Sequence, residues 1–225
     1  MKLSTSVILL CLATSCSTFA SDNIDEQWKP RKDKNGIQIF SRNVKGSKYE
    51  EFKGVVELDA TIASSLALLD DTQACADWVH RCELSRVLQR SGLLERHIYQ
   101  VSDLPFPAAS RDMVFKVTVR RTADGSVLIN LQSRPHFIEK TEHIRVTESH
   151  GSYLLERLGE NRTRLTWIQY IDPAGALPAF MVNSMLTNIP FKSLKNFKKV
   201  VKRDKYRNAR FIHHENGSWS LSQQP

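Results

Sequence analysis

The apolar positions along this chain change period twice. Asn35-Gly36 is a turn signal, and the residues after it, IQIFSR, alternate between apolar and polar, which predicts a strand. YEEFKGVVEL over 49–58 predicts a second. Asp59-Ala60-Thr61 then offers side-chain oxygens for a helix N-cap, and IASSLALLDD places Ile62, Leu66 and Leu69 at helical spacing. From Arg81 the period returns towards two. CELSRVLQR, ERHIYQVS, RDMVFKVTVRR, SVLINLQSRP, HIRVTESHG, SYLLERLG and TRLTWIQYIDP read as successive strands. Asp124-Gly125 is a hairpin signal between two of them. The loop PFPAAS carries two prolines and cannot be a central strand. The last long element, over 177–203, is helical.

The order is two strands, a helical region, about seven strands and one long helix. That is an α+β pattern, with about nine antiparallel strands and no βαβ alternation. A sheet of this size curls, and one helix across its concave face can leave a cavity beneath. Residues 21–35 are polar, with Trp28 as an anchor, and residues 206–225 are expected to be a flexible tail.

Three stretches resemble the StAR-related lipid-transfer (START) domain family. LPFPAASRDMVFKV (104–117) is similar to that family's Arg-Asp segment. ADWVHRCELSRVL (76–88) is similar to the segment holding its tryptophan, here Trp78. WIQYIDPAGALPAFMVNSMLTNIPFKSLKNFKKVV (167–201) resembles its last strand, turn and C-terminal helix. The resemblance covers about residues 28–203. It implies a helix-grip fold, a curved sheet wrapped around the C-terminal helix with a tunnel for a lipid or another hydrophobic small molecule. Relatives in the wider superfamily are cyclases or hydroxylases. An enzyme acting on a polycyclic or aromatic compound in the same cavity is therefore the alternative. The chain has no GxSxG, HExxH, glycine-rich phosphate loop or GxGxxG, so no catalytic residue, cofactor or metal is expected.

Alternation points Met113, Phe115, Val117 and Val119 to one face. With Val127, Ile129 and Leu131 on the next strand, they are candidate cavity wall or ordinary core. The family's sterol carriers have a tunnel arginine six residues after the arginine of the Arg-Asp motif. Here that position is Val117, which argues against a copied sterol site. Arg111 is a candidate partner for a lipid phosphate or carboxylate, or half of an ion pair fixing the PFPAAS loop. Trp167 and Gln169 share one face of the last strand, and Gln169 faces either a ligand or solvent. On the final helix Leu177, Met181, Met185 and Ile189 recur every four residues, as a cavity lid or as core. Pro190 removes a backbone donor and is expected to kink the helix or permit opening.

Composition adds three points. The 225 residues, 41% hydrophobic, suffice for one domain with a core. The N-terminus has Lys2, a short apolar run over 7–13 and small residues to Ala20, which reads as a signal peptide of residues 1–20. The competing reading is an imperfect lipobox with Cys16 lipidated. Either implies export, with the periplasm as destination. Export makes a Cys75–Cys82 disulfide the favoured reading over two buried thiols. Seven residues apart on a continuous helix they would stand about 10 Å apart, so a bridge needs the helix to end near Trp78. The formal charge of +8 suits an anionic membrane surface, and export argues against nucleic acid. Lys195, Lys198, Lys199 and Lys202 on the last helix are the candidate membrane contacts, or a solvated face.

Overall fold

A computed structural model describes residues 28–222, Pro107 apart. The signal-peptide and lipobox expectations, Cys16 included, lie outside the described residues. Three strands come first: β1 (Lys29–Lys34), β2 (Ile37–Asn43) and β3 (Glu50–Leu58). Two helices follow, α1 (Ile62–Asp70) and the single turn α2 (Cys75–Trp78). A run of strands comes next: β4 (Cys82–Ser91), β5 (Glu95–Ser102), β6 (Arg111–Arg121), β7 (Val127–Ser133), the short β8 (Ile144–Arg145), β9 (Glu148–Gly159) and β10 (Arg162–Asp172). The chain then enters α3 (Ala179–Val200), α4 (Asp204–Arg207), β11 (Phe211–His213) and β12 (Trp219–Leu221).

Nine strands form one antiparallel sheet in the order β1-β2-β3-β10-β9-β7-β6-β5-β4, and β8 adds to β6 in parallel. The sheet curves around α3, which is the helix-grip arrangement. Local chemistry explains the corners. Asn35 and Gly36 both take positive φ, the geometry a two-residue hairpin needs. Thr61 accepts a hydrogen bond from the Ser64 amide at 3.0 Å and starts α1. Gly54 lets α3 approach the sheet: a Cβ there would stand 2.8 Å from Leu194 Cδ1. Leu194 and Phe197 are fully buried at that crossing.

Four features differ from the sequence pattern. Residues 148–159 are one strand, not parts of two, because β9 pairs with β10 without a turn from Glu148 to Gly159. Residues 29–34 form an edge strand that is exposed on both faces, so it carries no alternation to read. The buried face of α3 holds Val182, Leu186, Leu194 and Phe197. Leu177, Met181 and Met185 are only half-buried beside it. Adjacent apolar stripes run along this helix, and the contact with the sheet selects the one a residue further on.

The fourth is the C-terminal segment, which is not the flexible tail expected. Tyr206 is buried and its hydroxyl donates to Asp71 Oδ2 at 2.7 Å. β11 and β12 pair as a hairpin, and Phe211, Trp219 and Leu221 pack against the core. The anchors are four widely spaced aromatic or apolar residues, too few to stand out from a polar stretch.

Candidate ligand cavity

The inner face of β6 lines a partly open cavity under α3. Arg111, Met113 and Phe115 reach it, with Leu131 from β7, Tyr153 from β9, Trp167 and Gln169 from β10, and Ile189 from α3. Phe52, Val79, His80, Arg81, Asp103 and Val146 are among the other walls. The volume is about 140 Å³. A smaller chamber of about 60 Å³ adjoins it on the side of α1 and α2, lined by Asp71, Trp78, Arg96, Val117 and Ile129 among others. The two chambers share Val79, Gln100, Leu131 and Tyr153.

Register explains the grouping. Residues opposite each other across an antiparallel pair share a face. Phe115 lies opposite Ile98, Met113 opposite Gln100, and Val117 between Arg96 and Leu131. Tyr153 sits between Ile129 and Trp167, and Trp167 lies opposite Gly54. Val119 continues the β6 face but lies in packed core, beyond both chambers. Among the α3 candidates, Ile189 reaches the cavity, while Leu177, Met181 and Met185 do not line it. Leu177 instead packs near Tyr49, Tyr170 and Val182.

Arg111 and Asp112 divide the two faces of β6. Arg111 is buried and pairs with no carboxylate among the described residues. Its Nε donates to the Pro173 carbonyl at 2.9 Å and its Nη2 to that of Ala174 at 3.2 Å, while Nη1 donates to the Ala109 carbonyl. It therefore holds the turn before α3, where Ala174 and Gly175 have positive φ, against the PFPAAS loop. Burial lowers its pKa. Asp112 points outward. It takes Arg145 Nε at 2.8 Å and Nη2 at 2.9 Å, and Thr141 Oγ1 at 2.7 Å. The ion pair is thus Asp112–Arg145, and it fixes the segment over 134–145.

Gln169 faces inward. Its Oε1 accepts from Trp167 Nε1 at 3.0 Å, and its Nε2 lies 3.4 Å from Ser149 Oγ. Trp78 is a packing anchor, with its ring centroid 5.0 Å from Phe197 and 6.0 Å from Trp167. Cys75 and Cys82 are disulfide-bonded, with Cα atoms 6.0 Å apart. The bridge forms because α2 ends at Trp78, Val79 is extended and Arg81 has positive φ. It closes the loop whose Val79, His80 and Arg81 wall the cavity. The His80 amide donates to Ser193 Oγ at 2.8 Å and ties this loop to α3.

Among the wall residues not anticipated from sequence, Arg96, Gln100 and Tyr153 matter most. The signal was present. ERHIYQVS alternates Arg96, Ile98, Gln100 and Ser102 on one face, and pairing with β6 turns that face inward. The inner face of β6 carries no charge from Met113 to Val119, but Arg81 and Asp103 line the main cavity and Arg96 enters the smaller chamber from β5 opposite Val117. Among the described residues no cluster of three or more His, Cys, Asp or Glu could hold a metal, and no helix is long and apolar enough to cross a membrane.

A long helix gripped by a curved antiparallel sheet, with an apolar cavity between them, defines the class. The START domain model matches residues 22–207, and the chain belongs to that family. It is 31% identical over 193 residues to an uncharacterized protein of Pseudomonas aeruginosa, spanning 85% of this chain and 95% of that one. It is 26% identical over 165 residues to the mouse phosphatidylcholine transfer protein, spanning 69% and 75%. The crystal structure of a StAR-related lipid transfer protein from Xanthomonas axonopodis superposes with a TM-score of 0.74 at 25% identity, covering 79% of this chain and 99% of that one.

Proposed function

We propose that this protein binds a lipid in the cavity beneath α3 and carries it across the periplasm between membranes. The observation that supports this most is the largely apolar chamber walled by Met113, Phe115, Leu131, Trp167 and Ile189. Each buried methylene of an acyl chain gains about 0.8 kcal/mol on leaving water. Family membership and the names of the transfer proteins above agree with carriage. The signal-peptide reading of residues 1–20 and the disulfide agree with export.

At about 140 Å³ the chamber is smaller than a ligand site of ~300–1,000 Å³, so entry requires opening. The movable wall is the end where Arg111 joins the loop over 103–110 to the turn before α3. Pro190, buried inside α3, deprives one carbonyl of its intrahelical donor and gives the helix a place to flex. Two aromatic side chains project from this end: Phe106 is 97% exposed and Phe180 77% exposed. They serve as apolar membrane anchors beside the opening. Lys195, Lys198 and Lys199 lie further along α3, with Lys202 just past its end, and add a basic flank, each contributing about 1 kcal/mol near an anionic leaflet. Lys202 is the weakest of them, being paired with Asp59 at 2.8 Å.

The test is lipid mass spectrometry on the purified protein, followed by transfer of the identified lipid between donor and acceptor vesicles. A reproducible co-purified lipid that the protein moves between vesicles is expected. No bound lipid and no transfer would overturn the reading. Sequencing the N-terminus of the periplasmic protein tests cleavage after Ala20.

A further inference from the structure

Arg96 stands apart from the other buried charges. It is 3% exposed, and its Nη2 donates to the Leu69 carbonyl at 2.9 Å. Its Nε and Nη1 have no hydrogen-bond acceptor. Nη1 lies 3.1 Å from Asp70 Oδ1 without the alignment of a hydrogen bond. Asp70 is already engaged, since Arg90 Nη1 donates to both its oxygens at 2.9 and 3.1 Å. Two guanidinium groups share one carboxylate, which leaves one positive charge over. A buried donor without an acceptor costs about 1–3 kcal/mol, and more when charged. Such a cost in a native fold points to an acceptor supplied from elsewhere.

The smaller chamber is where that acceptor fits. Arg96 lines it, with Tyr153, Gln100 and Asp71, whose carboxylate already accepts from Lys205 and Tyr206. Tyr153 is deeply buried, and burial raises the pKa of its hydroxyl, so it stays a donor. The chamber's 60 Å³ holds about two to four waters, or one carboxylate, and not a phosphodiester headgroup. Through Tyr153, Gln100 and Leu131 it adjoins the apolar chamber.

We propose that Arg96 and Tyr153 form a subsite for a carboxylate, so that the ligand is a fatty-acid-type amphiphile with its acid end in the smaller chamber. Its chain then lies against Met113, Phe115 and Trp167. This rests on the reading that the cavity holds a lipid. It adds the chemical class and the orientation.

The test compares oleic acid, methyl oleate and oleyl alcohol on the full chain by quenching of tryptophan fluorescence, since Trp78 and Trp167 border the chambers. The acid is expected to bind at least about tenfold tighter than the ester or the alcohol, the size of a charge-assisted hydrogen bond. Arg96→Gln is expected to erase that preference, and Tyr153→Phe to reduce it about threefold. A measurement without variants guards against misfolding. The carboxyl resonance of oleate labelled with carbon-13 at C1 is expected to stay in its ionised position below pH ~4, where an ordinary carboxylate protonates.

Equal binding of acid and ester, or a freely titrating carboxyl, would overturn the subsite and leave carriage standing. Loss of the preference in Arg111→Gln but not in Arg96→Gln would place the acid at the opening and overturn it too. Failure of all three ligands to bind would overturn both the subsite and the carriage of such lipids.

Discussion

Arg145 and Arg96 are both buried arginines on the same part of the sheet, one outside β6 and one inside β5. Arg145 spends every guanidinium nitrogen. Nε and Nη2 grip Asp112, Nη1 reaches the carbonyls of Pro135 and Ile138, and Nη2 also reaches that of Glu139. Its pKa is raised, first by the bond to Asp112. Arg96 spends one nitrogen on a carbonyl, and burial lowers its pKa beyond what Asp70 restores. Equal burial therefore signals opposite roles. A saturated buried cation is a clamp. An unsaturated one beside a cavity is a place for something to bind.

Stability measurements can break this comparison. Asp112→Ala leaves Arg145 buried and unpaired and is expected to cost about 3–5 kcal/mol in urea unfolding. Arg96→Leu removes an unsatisfied charge and is expected to stay within about 1 kcal/mol of the parent. If both variants lose the same amount, Arg96 is a second clamp and the contrast collapses.

The disulfide comes next in size. Replacing both Cys75 and Cys82 with serine is expected to cost about 2–3 kcal/mol by releasing a short closed loop in the unfolded chain. That loop carries Val79, His80 and Arg81 into the cavity wall, so ligand affinity is expected to fall with it. Unchanged affinity would show that the Ser193 contact alone holds the wall.

Acid sharpens the clamp. Burial would raise the Asp112 carboxyl, but the bonds from Arg145 and Thr141 outweigh it and hold its pKa below the usual range. A depressed folded pKa gives stability that is fully present above the unfolded value of about 3.9 and is lost as pH falls through the folded one. The parent is therefore expected to lose stability below pH ~4 more steeply than Asp112→Asn. Equal slopes in acid urea titrations would remove Asp112 from the account.

The smallest effect on stability is expected at the exposed aromatics. Phe106→Ser with Phe180→Ser should change unfolding by no more than about 0.5 kcal/mol per site. Sedimentation with vesicles should nevertheless fall clearly. A variant that still sediments like the parent would shift membrane contact to the lysines of α3.

Much of this was legible in the pattern of residues. Alternation in RDMVFKVTVRR picked out Met113, Phe115 and Val117, and all three are buried on the inner face. The Asn35-Gly36 and Asp124-Gly125 turns were readable because left-handed φ values at Asn35, Gly36 and Gly125 favour those residues. The α3 face was less legible. Met181 and Met185 are as apolar as Val182 and Leu186, and only the seat of Leu194 over Gly54 fixes the rotation. Arg96 was hidden for another reason. On a single strand an alternating arginine usually faces water, and nothing within ERHIYQVS says that β5 lies inside β4 with its Arg96 face turned to the cavity.

What the sequence alone determined is most of the strands, the long helix, the inner face of β6 and the family. These follow from local periodicity, turn chemistry and motifs that each lie within a few residues. Tertiary structure decided which stripe of α3 grips the sheet, which carboxylate answers which arginine, and that residues 211–221 pack as a hairpin. Those outcomes depend on partners far apart in sequence: Asp112 and Arg145 are 33 residues apart, and Tyr206 and Asp71 are 135 apart. Their energies arise only when burial removes water and makes each unpaired group costly.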